Sequence, residues 1–277
     1  MEWIDYCKLQ IPTLCRYYKN KTGRELNINN PQTFTEKVQW LKIYDSSFIK
    51  SYCTDKITLH SYCKRKLGRD ICIPILATYS NANDICFDNF PNGVVAKCNH
   101  GSGYNIICKP NTIINQEQIK NKLNTWLAED FSFRNGCELH YKVIPPRILI
   151  EPYMNDGHSD LTDYKVYCFN GQIKFFQVIS NRTSHELLSH YTLDWKPAPQ
   201  YNQIGYDYST NDPKPELFQE MCDAAMKLSQ GFKLVRVDFY IIQHKLYLGE
   251  MTFTPNSGVH RFTNPSTDRI LGQELSI

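Results

Sequence analysis

The stretch "LVRVDFYIIQHKLYLGEMTF", residues 234–253, decides the fold. Two runs rich in β-branched and aromatic residues flank Gln243-His244, which predicts a β-hairpin turning at that pair. Arg236 and Asp238 are two residues apart, so they share one face of the first strand. Glu250 stands on the partner strand, across the turn. Carboxylates in the middle of an apolar hairpin are costly to bury unless something pairs with them. Two readings are open. Arg236 can pair with one carboxylate as a structural contact. Alternatively, Asp238 and Glu250 hold a divalent cation, since Mg²⁺ takes a few carboxylates together with phosphates.

Upstream, "DYKVYCFNGQIKFFQVIS", residues 163–180, is a second hairpin, because Asn170-Gly171 is the preferred pair for a type I′ turn. Asp163 and Lys165 share a strand face, and a cross-strand ion pair is the plain reading. "RILIEPYM", residues 147–154, reads as a buried strand ending at Pro152. Glu151 closes its apolar run, either as a ligand position or as a capping carboxylate.

"GVVAKCNHGSGYNIIC", residues 93–108, is strand, small polar loop, strand, with Lys97 at the end of the first strand. Gly101, Ser102 and Gly103 offer backbone N–H groups that a phosphate can approach without side-chain obstruction. No G-K-[ST] follows, so this is not a Walker A loop. Nor is it a G-x-G-x-x-G fingerprint, since the sixth position is Ile106 and no helix comes next. A phosphate-covering flap fits the pattern, and a plain hairpin with a surface lysine is the alternative.

Helical patterns surround these strands. "TFTEKVQWLKIYD", residues 33–45, opens with Thr33 three residues before Glu36, a capping box, and carries Phe34, Val38 and Leu41 at helical spacing. "TDKITLHSYCKRKLG", residues 54–68, predicts a helix capped by Thr54 and stopped by Gly68. "ICIPILATY" is a short extended piece broken by Pro74, and residues 115–128 and 215–229 read as helices. Helices, strands, a helix and strands in that order predict an α+β fold with antiparallel sheets rather than an alternating βαβ series.

The 277 residues are enough for one or two domains, with 42% hydrophobic and 21% charged residues, as in ordinary globular proteins. A net charge of +3 does not point to nucleic acid, and Lys64, Arg65, Lys66 and Arg69 sit where they complement a helix dipole. The first ten residues contain no apolar signal-peptide core, and no run reaches the roughly 18 apolar residues of a membrane span. The eleven cysteines include no C-x-x-C, so we expect reduced, mostly buried thiols in a cytoplasmic protein. The eight histidines form no H-x-x-x-H, and no G-x-S-x-G occurs.

Taken in order, "NPQTFTEKVQWLKIYD", "VVAKCNHGSGYNIIC", "DYKVYCFNGQIKFFQV" and "VRVDFY…YLGEMTFTP.SG" closely resemble the TupA-like ATP-grasp family of bacterial surface-polysaccharide gene clusters. The resemblance spans about residues 20 to 275. It implies an ATP-grasp fold, two α+β subdomains gripping ATP, here expected as residues 79–152 and 153–277, after a mostly helical region 1–78. It implies that Lys56, following Asp55, meets nucleotide phosphate. Lys97 would reach the α- and β-phosphates beneath Gly101, Ser102 and Gly103. Glu151 would bind ribose or base, with Pro152 and Tyr153 beside it. Asp163 and Lys165 match the acid–base pair after the hinge, and Lys165 would contact the transferring phosphoryl, which Arg236 also faces.

Asp238 and Glu250 match the metal ligands for one or two Mg²⁺. Thr252 stands where most ATP-grasp ligases carry asparagine and Asn256 where they carry glycine, which puts the second ion in doubt. The implied reaction is ATP-dependent ligation of a carboxylate to an amine through an acyl phosphate. The family's setting suggests a uronic acid on a nucleotide sugar or glycan, an amino acid or amino alcohol, and association with polysaccharide assembly enzymes. No nucleic acid is implied. A glycosyltransferase is the rival reading, though the chain has no D-x-D, and a non-catalytic nucleotide-binding module is another. "SNRTSHELLSHYTLDW", residues 180–195, carries Asn181, Arg182, His185, His190 and Trp195, either as substrate contacts or as a surface loop, and Asn256 is a further candidate substrate contact.

Overall fold

The computed structural model describes residues 1–155, 160–182 and 184–277. Its helices are α1 (Trp3–Lys8), α2 (Ile11–Thr22), α3 (Phe34–Tyr44), α4 (Phe48–Thr54), α5 (Leu59–Leu67), α6 (Gln116–Ala128), α7 (Phe218–Ser229) and α8 (Thr267–Glu274). Its strands are β1 (Ala77–Tyr79), β2 (Val94–Cys98), β3 (Asn105–Cys108), β4 (Ile148–Pro152), β5 (Asp163–Phe169), β6 (Gln172–Ser180), β7 (Leu187–Tyr191), β8 (Leu234–Ile242) and β9 (Lys245–Thr252). They form a four-stranded sheet in the order β1-β4-β2-β3 and a five-stranded sheet in the order β7-β6-β5-β8-β9. The pairings within both sheets are antiparallel, as the order of elements predicted.

Both large hairpins turn where the sequence placed them. Asn170 and Gly171 have φ of 50° and 77°, and Gln243 and His244 have 50° and 60°. A tight hairpin needs positive φ at both central residues. The box on α3 is complete: Thr33 N–H donates to Glu36 Oε2 at 3.0 Å while Glu36 N–H donates to the Thr33 hydroxyl.

The larger sheet is buried on both faces, and the strand alternation assigns its residues. Val166, Val235, Val237 and Phe239 point to a core with Leu59 and Tyr62 of α5 and Met221, Ala225 and Leu228 of α7. Tyr167, Phe169 and Leu234 point the other way, under Phe34, Val38 and Leu41 of α3 and Leu271 of α8. Lys165, Arg236 and Asp238 stand on that second face too, farther along the strands. The smaller sheet packs Ala96, Ile148 and Ile150 against Leu123 of α6 and Phe131.

Three expectations need correction. Thr54 does not cap α5. It ends α4, and the N-cap of α5 is Thr58. Helix α4 escaped notice because its pattern is inverted. Phe48 and Ile49 are 64% and 41% exposed, while Lys50 is buried against Asp45, Nζ to Oδ2 2.6 Å. Lastly, residues 187–191, inside the stretch read as a possible surface loop, are the edge strand β7. The eleven cysteines are unpaired, nine of them buried and Cys86 exposed. No described helix is long and apolar enough to cross a membrane.

Candidate active site

A cleft of about 550 Å³ is lined by Lys56, Lys97, Ser102 and Gly103 on one side and by the charged ends of β5, β8 and β9 on the other. Strand register builds the charged wall. Lys165 faces Asp238 across β5–β8, Asp238 faces Glu250 across β8–β9, and Arg236 faces Thr252. A bulge follows Asp238, since Phe239 pairs with Leu248 and Gly249 is the extra residue. Leu248 therefore points to the core while Glu250 points to the cleft.

The side chains close into one network. Lys165 Nζ lies 2.6 Å from Asp163 Oδ2 and 2.5 Å from Asp238 Oδ2. Arg236 grips Asp238 with two bonds, Nε to Oδ1 and Nη2 to Oδ2, each 2.7 Å. The same Nη2 donates to Glu250 Oε1 at 3.2 Å and to the Thr252 hydroxyl at 3.2 Å. Arg182 reaches Asp163 at 2.5 Å. Burial opposes the charge on Lys165, but Asp163 and Asp238 outweigh it and raise its pKa above the ordinary value. Burial likewise opposes the charge on Glu250, and Lys56, Arg236 and Lys165 overcome that to hold its carboxyl at about 2.

The glycine loop covers this wall from the β2–β3 hairpin. Its base is fixed from below: Asn99 Nδ2 donates to Asp55 Oδ1 at 2.9 Å, and Arg147 N–H donates to Asn99 Oδ1 at 2.7 Å. Lys56 Nζ donates to the Gly101 carbonyl at 3.0 Å. A Cβ on Gly101 would meet the Tyr104 ring at 2.5 Å, so the loop packs tightly there. Gly103 sits at φ +74° in open space. Among the described residues, no acceptor meets the amides of Gly101, Ser102 and Gly103. Lys97 is not a surface lysine. Its side chain is 17% exposed and ion-pairs with Glu151, 8% exposed, at 2.5 Å.

Asp238, Glu250 and Thr252 offer oxygen only, the donor type that Mg²⁺ takes. Two anionic oxygens remain open among the described residues: Glu250 Oε2 receives no hydrogen bond, and Asp163 Oδ1 is buried without one. Glu250 therefore keeps an open oxygen for a hard cation, while both oxygens of Asp238 are held by Arg236 and Lys165 and would have to be released to bind one. The Thr252 hydroxyl is engaged, donating to Glu250 Oε1 at 3.0 Å and accepting from Arg236.

A second pocket of about 250 Å³ adjoins the cleft through Lys97, Asn105, Arg182 and Tyr240. Val95, Ile107 and Leu161 line it, with Glu151 and Tyr153. Of the candidate substrate contacts, Arg182 and Asn256 line the main cleft. Asn256 donates to Gln203 Oε1 at 2.7 Å. The fold does not bring the others there. Asn181 lies off the lining. His185 pairs with Asp207 on the exposed surface, 3.1 Å apart. His190 is buried between Gln177 and Asn202, and Trp195 stacks on Tyr191 at 4.7 Å. The sequence reading missed Tyr17, Asn135, Glu138 and Tyr141, which also line the cleft. A lone acid inside "NGCELHY" gives no periodic signal.

A model of the TupA-like ATP-grasp family matches residues 36–276. The chain belongs to this family. Its fold is the ATP-grasp fold, two antiparallel sheets with a helical N-terminal part. No curated protein matches the chain. Among solved structures, this ATP-grasp chain is similar to the D-alanine–D-alanine ligase from Bacillus anthracis complexed with ATP, with 16% identity, a TM-score of 0.41, and coverage of 73% of this chain and 53% of that one. The Helicobacter pylori D-alanine–D-alanine ligase gives 16% identity, a TM-score of 0.43, and 81% and 61% coverage. The ATP-grasp ligase PsnB complexed with minimal precursor gives 11%, 0.43, and 86% and 68%. The chain thus spans about half the length of the first of these ligases.

Proposed function

We propose that this ATP-grasp protein is an ATP-dependent carboxylate–amine ligase. The observation that carries the reading is the convergence of Lys56, Lys97, Lys165 and Arg236 on one cleft with Asp238 and Glu250, beneath a loop whose amides meet no acceptor among the described residues. In this reading Lys56 and Lys97 hold the nucleotide's phosphates, and Gly101 to Gly103 cover them. The apolar pocket beside Glu151 and Tyr153 takes the base. Lys165 and Arg236 offset the charge that grows as the phosphoryl group moves to the carboxylate, a role in which one preorganised donor is worth roughly 100-fold in rate. Asp238 and Glu250 hold Mg²⁺, which neutralises phosphate charge when bound. The acyl phosphate then reacts with an amine to give an amide.

The proposed carboxylate is a uronic acid on a nucleotide sugar or glycan, and the amine an amino acid or amino alcohol, within surface-polysaccharide synthesis in the cytoplasm. Residues 79–152 are proposed as the subdomain carrying the flap and 153–277 as the one carrying the charged wall. The test is the mass of the product formed from ATP, UDP-glucuronate and a mixture of amines. ADP together with a species equal to acid plus amine less one water is expected. Release of UDP, or ADP without that species, overturns the reading.

A further inference from the structure

The ligase reading leaves one wall of the cleft unused. It is made by Tyr17 of α2, by Asn135, Glu138 and Tyr141, and by the 254–257 segment after β9. The rest of the lining is rich in cations, with Lys56, Lys97, Lys165, Arg182 and Arg236. This wall contributes no lysine or arginine among the described residues, and its charged side chain is Glu138.

Glu138 is 5% exposed, and among the described residues no basic nitrogen lies within 4.0 Å of it. The Thr254 hydroxyl donates to its Oε1. Lys42, the buried lysine nearby, turns its Nζ elsewhere, to the carbonyls of Gly136 at 2.8 Å and Ser257 at 2.9 Å and to the Ser257 hydroxyl at 2.9 Å. Burial pushes the Glu138 carboxyl above its ordinary range against the pull of Lys42. Thr254, Asn135 and Ser257 offer it hydrogen bonds, but a carboxylate buried at a cleft with no cation in contact still lacks a charged partner. The wall is also held in shape. Asn256 and Ser257 sit at φ 47° and 51°, and the bonds from Lys42 to Ser257 fix that turn. Backbone held in the left-handed region by its surroundings is common at ligand clamps.

We propose that this wall is the subsite of the amine substrate, with Glu138 receiving its ammonium group and then its proton. The inference rests on the ligase reading and adds which substrate stands where. The anionic acid and nucleotide belong with the cations, and a positively charged nucleophile belongs at Glu138. The ammonium passes one proton to the Glu138 carboxylate. The freed nitrogen lone pair forms the C–N bond at the acyl carbon. The acyl C–O bond breaks and its electron pair leaves with phosphate, which takes the second nitrogen proton.

Hydroxylamine separates the two ideas, because it is largely uncharged near neutral pH and needs no ammonium site. Wild type and Glu138→Gln are compared with Mg²⁺, ATP and UDP-glucuronate, using either hydroxylamine or a set of amino acids and amino alcohols. The glutamine keeps an acceptor for Thr254 and removes the charge. We expect kcat/KM for the amine to fall roughly 30-fold or more, the scale of a hydrogen bond to a charged group. Hydroxamate formation and KM for ATP should stay within about threefold. Equal losses with both nucleophiles, an unchanged amine reaction, or an altered Mg²⁺ requirement overturns the assignment while the ligase reading stands. A wild type that releases no ADP with either nucleophile removes the ligase reading, and this inference with it. If Glu138→Gln melts well below wild type, Asn256→Gly carries the test. It strips a neutral side chain from the same wall and leaves the Glu138 charge in place, so both nucleophiles should be affected alike, and a selective loss of the amine reaction in this variant would overturn the role given to that charge.

Discussion

Lys97 and Glu151 show what a single residue's position discloses and what it hides. A lysine ending a strand before a glycine loop is visible in the sequence, and so is an acid ending an apolar strand. That the two meet is not, because β2 and β4 are more than 40 residues apart in the chain. Their contact changes what a substitution does. Lys97→Ala strands a mostly buried carboxylate, which costs about 2 kcal/mol, less than a fully buried pair because the lysine is partly wet. We expect Tm to fall by several degrees and affinity for a non-hydrolysable ATP analogue to drop. Adding Glu151→Gln should restore Tm and not affinity, as calorimetry of both variants will show. If the double variant binds the analogue as wild type does, Lys97 serves Glu151 alone. Arg236 was equally legible on its strand face, and its bidentate hold on Asp238 was one of the two readings left open.

At the level of elements, turn chemistry was the strongest signal. Asn170-Gly171 located one hairpin outright, while Gln243-His244 was found only from its flanking strands. The bulge in β9 has a trace that alternation alone misreads. Leu246 and Leu248 are buried, then Met251 and Phe253, so the apolar parity flips at Gly249. Helix α4 had no legible trace, since its large apolar residues Phe48 and Ile49 are exposed while Lys50 and Ser51 are buried. The flap gives a test of how tightly an element is seated. In Gly101→Ala the new methyl would lie 2.5 and 2.6 Å from Tyr104 ring atoms and 3.0 Å from Phe131. Overpacking of that kind costs roughly 1–3 kcal/mol. Gly103→Ala meets nothing and carries only left-handed strain, about 1 kcal/mol. Thermal unfolding should rank Gly101→Ala below Gly103→Ala, with nucleotide affinity reduced most in the first. Equal melting temperatures would mean that the loop yields freely.

The whole molecule was legible as α+β and, through its blocks, as ATP-grasp. The packing of α2 and the 135–141 segment against the cleft was not, because no local pattern records which distant segments meet. Packing also sets the molecule's response to acid. Burial, aided by nearby Lys50 and Lys42, lowers His140 from 6.5 to about 3. Burial lowers His190 from 6.5 to about 4 and, with Arg236 nearby, His260 from 6.5 to about 3. Unfolded, each takes a proton near pH 6.5; folded, each waits for a much lower pH. The unfolded chain therefore binds more protons in that interval. The histidines' contribution is whole above pH 6.5 and drains away as the pH falls toward 4, each pH unit being worth up to about 1.4 kcal/mol per histidine. Tm should decline between roughly pH 6.5 and pH 5, above the range where ordinary carboxylates titrate. A flat Tm there would mean that these rings accept protons in the folded state.

The pairing of lysines and arginines with carboxylates has a consequence for encounter rather than for binding. Among the described residues, the walls of the two pockets carry six lysines and arginines and six aspartates and glutamates. Beyond a screening length of about 8 Å such a surface looks neutral. It exerts no long-range pull on a polyanion, unlike a cleft lined by one sign of charge. Anions of every kind approach it without electrostatic acceleration, at rates largely indifferent to salt. Discrimination then falls to the last few ångströms, where an incoming group must take the place of a partner that is already there.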